Sequence, residues 1–284
     1  MKSYMEKKLY RYNIKNLDLN KGIEFLKSQI EELNNLNIDI LNKCNKVLEN
    51  NQKYSNKVEA MLIKEDINKF LNEHKVSVNK LYKLYNKVSK GVIGENKIKD
   101  IIYQYDNRLK ILQNATLNVE GINIENDFLL IDKSGITTIE VKNIGSAKEN
   151  LIIDELGRVS RYNKFGSKID TIDMIEQSNR HQNYLQKYIN TIFDYEVPIH
   201  SYIVISSDIK IKNKSDFNIV GPNTLINNIF NHASAITKEQ SDMVYQYLLQ
   251  NLKDNITYQY IDYSSCLNNN YNLILRALHD LFHN

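Results

Sequence analysis

Tryptophan is absent from the 284 residues, and there are only two prolines, two cysteines and nine glycines. Cys44 and Cys266 form neither a metal-ligand spacing nor a disulfide framework, which suits a reducing cytosol. No apolar run approaches the ~20 residues of a membrane span, so no transmembrane helix is expected. The opening MKSYMEKKLYRYNIKN has lysines but no apolar stretch, so no secretory signal is expected. A Gly-rich phosphate loop, a zinc spacing and a Ser/His/Asp order are all missing, and the enzyme classes built on them lose support. What is abundant is Asn, Lys, Ile and Tyr, a bias that fits an AT-rich bacterial coding genome and says little about chemistry; a cytoplasmic protein of a bacterium is expected. With 42% hydrophobic residues the chain can build a real core, as one large domain or two modest ones.

Charge is unevenly spread. Residues 1–90 hold 18 Lys and Arg against 11 Asp and Glu, a net of +7, and the rest hold 19 against 23, a net of −4; together these give the formal +3. A basic first third could meet nucleic acid phosphates, and it could equally be a solvated helical surface.

That first third has helical periodicity. Apolar positions run Leu26, Ile30, Leu33, Asn37, Ile40, Cys44, Val47, Asn51, Tyr54, Val58, Met61, in alternating steps of four and three. A second tract runs Ile67, Leu71, His74, Val78, Leu81, Tyr85, Val88. Such spacing marks helices packed side by side, with Asn37 and Asn51 able to fix register or partner number. The phase changes near residues 62–67, which predicts the end of one helix and the start of another. An antiparallel hairpin within one chain and a coiled coil between chains, as in a homodimer or with a partner protein, both fit.

From Gly91 the pattern changes. Gly91 and Gly94 predict an interruption, with Glu95 opening a new amphipathic helix through Ile98, Ile101, Ile102 and Tyr105. Strands are predicted near 115–120, 126–133, 136–142, 150–154 and 157–162, then a helix over about 171–190 and a β-branched strand at 198–207. A short strand at FNIVG and helices near 222–231, 237–252 and 270–282 follow. The order is α/β, with the late strand joining the sheet beyond a crossover. Three segments are expected: an N-terminal helical region over 1–90, an α/β domain over 91–232 and a C-terminal helical segment over 233–284 packed on it.

The stretch NDFLLIDKSGITTIEVKN (126–143) carries the chemistry. If Ser134 and Gly135 form a two-residue hairpin loop, Lys133 pairs with Ile136, Asp127 lies opposite Lys142 and Leu129 opposite Glu140. Alternate side chains share a face, so Asp127, Glu140 and Lys142 then point the same way. Leu129 and Ile131 continue that face, while Asp132 reads as a turn residue. Two carboxylates and a lysine at one end of an apolar hairpin fit metal-dependent phosphodiester cleavage. Carboxylate oxygens suit Mg²⁺ or Mn²⁺, and a lysine can hold water and offset charge in the transition state. An exposed strand end with solvated charges is the bland alternative, and for an isolated E-x-K it would prevail.

GVIGE (91–95), the helix after it, NVEGINIENDFLLI, GITTIEVKN and then a helix bearing Gln177 together resemble the nuclease-related domain. That domain belongs to the PD-(D/E)XK nuclease superfamily, whose fold is a restriction-endonuclease-like core, a central mixed sheet flanked by helices. The similarity spans roughly residues 91–230. It implies that Asp127 and Glu140 bind the divalent metal and that Lys142 is the catalytic lysine. The family's E-x-D stands here as Glu125-Asn126-Asp127, with Asn126 where an aliphatic residue is usual. The resemblance also implies an added acid at Glu95 near the metals, although Glu95 could simply complement a helix dipole. It implies a helix Gln at Gln177 that orients the site, with His181 on the same face four residues on. Arg158, Arg161, Lys164 and Lys168 could contact a nucleic acid backbone or form a solvated loop. Tyr162 could stack a base, although tyrosine is common throughout the chain.

Three functions remain open: an Mg²⁺- or Mn²⁺-dependent nuclease acting on nucleic acid, DNA more than RNA, in defence against phage or plasmids or in repair; a nuclease-fold protein that binds without cutting; and a coiled-coil scaffold whose α/β part docks a partner.

Overall fold

The computed structural model describes residues 11–15, 21–35, 58–253 and 257–261, with 272, 273 and 276. Along the chain run β1 (Arg11–Lys15), α1 (21–35) and α2 (Val58–Ile102), then a 3₁₀ turn (Tyr103–Tyr105). Next come β2 (Lys110–Val119), β3 (Ile122–Asp132), β4 (Gly135–Lys142), β5 (Glu149–Ile153), β6 (Val159–Asn163) and β7 (Lys168–Ile172). After α3 (Ile175–Ile192) follow β8 (Ile199–Ile205), β9 (Lys210–Asn213), β10 (Ile219–Val220), α4 (Pro222–Phe230), α5 (Lys238–Gln250) and β11 (Thr257–Ile261). Among the described residues no helix is long and apolar enough to cross a membrane.

The chain divides into two compact units, Met1–Ser89 with Asn255–Asn284, and Lys90–Asp254. In the first unit β1 and β11 pair antiparallel, Arg11 against Ile261. The predicted seam residues Leu26, Ile30 and Leu33 are buried on α1, and Ile67, His74 and Leu81 are buried on α2 together with Phe70. A ring nitrogen of His74, Nε2, lies 2.9 Å from the carbonyl oxygen of Leu33, and Asn34 donates to the Tyr82 hydroxyl at 3.5 Å. The two helices therefore meet within one chain. The seam from Asn37 to Tyr54, with Asn51, and most of the helix expected over 270–282 lie outside the described residues.

Two expected helix boundaries are absent. α2 runs unbroken through residues 62–67 and through Gly91 and Gly94. A change of apolar phase shifts which face is buried but breaks no hydrogen bond. A glycine costs only ~1 kcal/mol in a helix, whereas the proline that would break one costs ~3 kcal/mol and does not occur in this stretch.

In the second unit the central sheet has the order β10-β8-β4-β3-β2. β10, β8 and β4 are parallel neighbours, and β4, β3 and β2 run antiparallel. The β-branched segment at 198–207 thus joins the sheet beside β4 after the α3 crossover, as its composition predicts. One face carries Leu129, Ile131 and Ile136 against Leu185 and Ile189 of α3 and Val244 and Leu248 of α5. The other carries Phe128, Leu130 and Ile139 against Ile98 and Ile102 of α2 and Leu225 and Ile229 of α4. This is a mixed sheet flanked by helices on both faces, the expected α/β architecture.

A second sheet, β7-β6-β5-β9, buries Leu151, Ile153 and Val159 against Ile203 and Ile205 of β8. Two of its strands went unpredicted. β7 (KIDTI) is an edge strand with mostly exposed side chains, and β9 (KIKN) has one apolar residue, so neither has a legible alternation. The helix expected from 171 begins instead at Ile175.

Candidate active site

The hairpin of β3 and β4 has a register two residues away from the one predicted. Asp132 pairs with Gly135 and Ile131 with Ile136, so the loop is Lys133-Ser134 rather than Ser134-Gly135. Turn chemistry explains the shift. Oδ1 of Asp132 accepts from both the backbone amide (2.7 Å) and the hydroxyl (2.5 Å) of Ser134, an Asx-type clamp that closes the turn one residue early. Gly135 then starts β4 at φ +118°, where a Cβ would collide with the carbonyl oxygen of Pro198. That backbone belongs to glycine alone, so Gly135 serves the strand start and not the loop. A two-residue slip preserves the face each side chain occupies, whereas a one-residue slip would have reversed it. Continuing this register sets Asp127 across from Glu140, not Lys142.

Pairing between β3 and β4 ends at Phe128–Ile139, while β4 continues beside β8 as far as Lys142–Ile205. Where β3 parts from β4, Oδ2 of Asp127 accepts the backbone amide of Val141 at 2.6 Å. Across β3, Asn114 of β2 has a left-handed backbone (φ 51°), between the paired positions Gln113–Phe128 and Ala115–Asn126. Both strands thus change course beside Asp127. Asn126 is 5% exposed, and its Nδ2 has no hydrogen-bond partner among the described residues.

Glu140 and Lys142 project together from β4. Nζ of Lys142 donates to Oε1 of Glu140 at 2.5 Å and to Oε1 of Gln177 on α3 at 3.4 Å. Glu140 is 12% exposed and Lys142 25%. Gln177 therefore reaches the strand pair from the first turn of its helix. His181, one turn further on, is held below its ordinary pKa chiefly by burial, and it senses the charges of Glu140 and Lys142.

Glu95 comes from the other side of the sheet. It lies inside α2, seven residues before its last residue, so the expectation that it opens a helix does not hold. Gly94 brings it close: a Cβ there would stand 2.6 Å from Oγ of Ser206 and 2.9 Å from Cβ of Asn143. Asn143 ties the same contact by donating to the carbonyl oxygen of Lys90 at 2.8 Å, and Lys97 donates to the carbonyl oxygen of Ser206 at 2.8 Å. Neither Asn143 nor Ser206 was singled out by sequence. Asn143 had one available signal, its position directly after Glu-Val-Lys.

Burial pushes the carboxyl of Asp127 up to about 8 and that of Glu95 up to about 7. The negative charge of Glu140 contributes to both shifts, Lys142 opposes both, and the hydrogen bond from Val141 opposes that of Asp127. Three carboxylates thus share one lysine in a poorly hydrated place. Hard oxygen donors with surplus negative charge suit Mg²⁺ or Mn²⁺. Among the described residues no three His, Cys, Asp or Glu side chains already stand as a complete ligand group. To ligate, Asp127 and Glu140 would use oxygens other than those bonded to Val141 and Lys142, or exchange those bonds.

The four basic residues beyond the site separate into two kinds. Arg158 is paired with Asp154, and Arg161 makes a two-pronged bond to Asp170 with Glu149 at 3.4 Å. Lys164 and Lys168 are exposed and, among the described residues, make no ion pair.

Residues 90–206 match the family model of the nuclease-related domain. That span holds every residue of the site, from Glu95 to Gln177. No curated protein and no solved structure matches the chain.

Proposed function

We propose that this protein is a divalent-metal-dependent nuclease that hydrolyses phosphodiester bonds, of DNA more than RNA, with its site at the open end of the β3–β4 hairpin. The observation that carries the reading is the convergence of Asp127, Glu140 and Lys142 where β3 parts from β4. Asp127 and Glu140 would hold Mg²⁺ or Mn²⁺, with Glu95 adding negative charge beside them. Such an ion supplies Lewis acidity at the scissile phosphate and lowers the pKa of water.

The chain's own groups do the rest. Lys142, aligned by Glu140 and Gln177, directs its ammonium toward the charge that develops on the phosphate oxygens. Gln177 fixes the lysine rotamer from α3. The rigid α2–β4–β8 contact at Gly94 and Asn143 keeps Glu95 from swinging out to water. The first unit, with its basic helices, would grip substrate or pair with a second copy. A bacterial cytoplasm, in defence against phage or plasmids or in repair, is the setting such chemistry would serve.

The test is a cleavage panel of single- and double-stranded DNA and RNA, with Mg²⁺, with Mn²⁺ and with EDTA. Metal-dependent cleavage that disappears in Glu140→Ala and Lys142→Ala is the expected result. If every substrate survives both metals, or if Glu140→Ala cuts as well as the parent, the assignment fails. A second reading, binding without cutting, draws support from Lys142 lying 2.5 Å from Glu140, on an oxygen that a metal would otherwise use. Tight binding with no cleavage at any metal concentration is its signature.

A further inference from the structure

The tip of the β6–β7 hairpin is closed by a set of hydrogen bonds from Asn163, and it ends on an exposed aromatic ring. Its tip is Lys164-Phe165-Gly166-Ser167. Oδ1 of Asn163 accepts the amides of Phe165 (2.9 Å) and Ser167 (3.0 Å), the Gly166 amide reaches the Asn163 carbonyl at 3.0 Å, and the Asn163 amide reaches that of Ser167 at 2.9 Å. Gly166 supplies the left-handed corner at φ +83°. Arg161 braces the two strands below through Asp170. On this frame Phe165 is 80% exposed, with Nζ of Lys164 4.7 Å from its ring centre and Lys168 at the start of the return strand.

A lone exposed apolar residue is ordinary. A phenylalanine held out by four turn hydrogen bonds, between two lysines without ion pairs among the described residues, has the form of a stacking platform for an anionic strand. Its position agrees. Asn163 pairs with Glu149, and Glu149 follows Lys142 by seven residues, so its backbone lies at most about 24 Å from the catalytic strand end. A nucleic acid strand of roughly ten nucleotides, at ~3.4 Å per step, could reach from one to the other.

We propose that Phe165 stacks on an unpaired base of a single-stranded nucleic acid segment, with Lys164 and Lys168 meeting the flanking phosphates. Every base offers a π-face, so the contact favours single strands without reading sequence. This rests on the nuclease reading for its ligand class and adds to it a surface and a strand preference. Arg158 and Arg161 take no part, since both are held by carboxylates.

The absence of tryptophan gives a clean test. In a Glu140→Gln background, which prevents cleavage, Phe165→Trp introduces a single indole at the tip. Titration with a 20-nucleotide single-stranded DNA should quench its emission with the midpoint given by anisotropy of the labelled DNA. Phe165→Ala should weaken binding about tenfold, with Phe165→Tyr restoring most of it. If anisotropy rises while the indole emission stays constant, or if Phe165→Ala binds as tightly as the parent, the tip is not the contact and the nuclease reading stands. Equal quenching by a blunt duplex would overturn the single-strand assignment. No binding of any nucleic acid, together with no cleavage by the unaltered protein, would remove both.

Discussion

The amide of Val141 and the carboxylate of Asp127, 2.6 Å apart, bridge the point where β3 and β4 stop pairing. The same carboxylate that would ligate a metal thus also satisfies a strand amide that has lost its ladder partner. Its two roles can be separated by substitution. Asp127→Asn keeps an acceptor for Val141 and removes a buried charge held at high pKa by burial and Glu140. In EDTA at pH 8 it should stabilise the protein by about 1–2 kcal/mol, while cleavage measured with Mg²⁺ falls about a thousandfold. Asp127→Ala leaves the Val141 amide without its acceptor and should instead cost about 1–3 kcal/mol. Thermal melts of the two variants should shift in opposite directions; shifts of the same sign would remove the bridging role.

Protonation gives a second handle. The Asp127 and Glu95 carboxyls hold their protons more tightly in the folded chain, up to about 8 and about 7, than at their ordinary values of 3.8 and 4.5. Between those limits the folded state binds more protons than the unfolded one, so stability falls as pH rises. A tenfold change in proton affinity is worth about 1.4 kcal/mol, so across roughly three decades for Asp127 and two for Glu95 a loss on the order of 6 kcal/mol between pH 5 and pH 8 is expected in EDTA. A bound divalent cation favours the ionised forms, so Mg²⁺ should flatten the fall and bind more tightly at the higher pH. Melts at both pH values with and without Mg²⁺ measure this directly, and a flat profile in EDTA would contradict the burial assigned to these groups.

Much of this arrangement was legible in the sequence because it depends on parity. Strand alternation alone sets Asp127, Glu140 and Lys142 on one face with Leu129 and Ile131, and a two-residue shift of register leaves that unchanged. Ser134-Gly135 has the composition of a loop, but Asp132 clamps the turn and Gly135 is needed against Pro198. Long-range contacts left no such local trace. Nothing near Gly94 announces Ser206, more than a hundred residues away, so the glycine read as a helix break when it is a point of close packing. The edge strands β7 and β9 lack alternation because they bury little.

Lys142 lowers the proton affinity of both Asp127 and Glu95, in addition to the role proposed for it at the phosphate. Lys142→Met should therefore do two things. Cleavage at saturating metal should drop by about 100- to 1000-fold through lost transition-state stabilisation. The Mg²⁺ concentration needed for half activity should fall, because the ammonium no longer occupies an oxygen of Glu140 that a metal would use or repels the cation. Gln177→Ala removes only the 3.4 Å contact that aligns the lysine, so a loss of about tenfold with unchanged metal dependence is expected. A Gln177→Ala variant as inactive as Lys142→Met would mean that Gln177 itself contacts the reacting groups.

The two glycines of α2 give the last prediction, because the same substitution should have opposite effects three residues apart. At Gly91 an added Cβ meets nothing closer than Oε1 of Glu95 at 3.9 Å. Gly91→Ala should stabilise the helix by about 1 kcal/mol through propensity alone. At Gly94 the same methyl would press into Ser206 and Asn143 at 2.6 and 2.9 Å, on side chains whose backbones are fixed by β8 and β4. The cost of overpacking, about 1–3 kcal/mol, exceeds the propensity gain, so Gly94→Ala should be destabilised. Pushing α2 away from β4 also withdraws Glu95 from Glu140, so cleavage should fall about tenfold in Gly94→Ala and stay at the parent level in Gly91→Ala. Melts and cleavage rates of the pair decide it: equal stabilisation by both alanines would mean that Gly94 does not mark the contact between helix and strands.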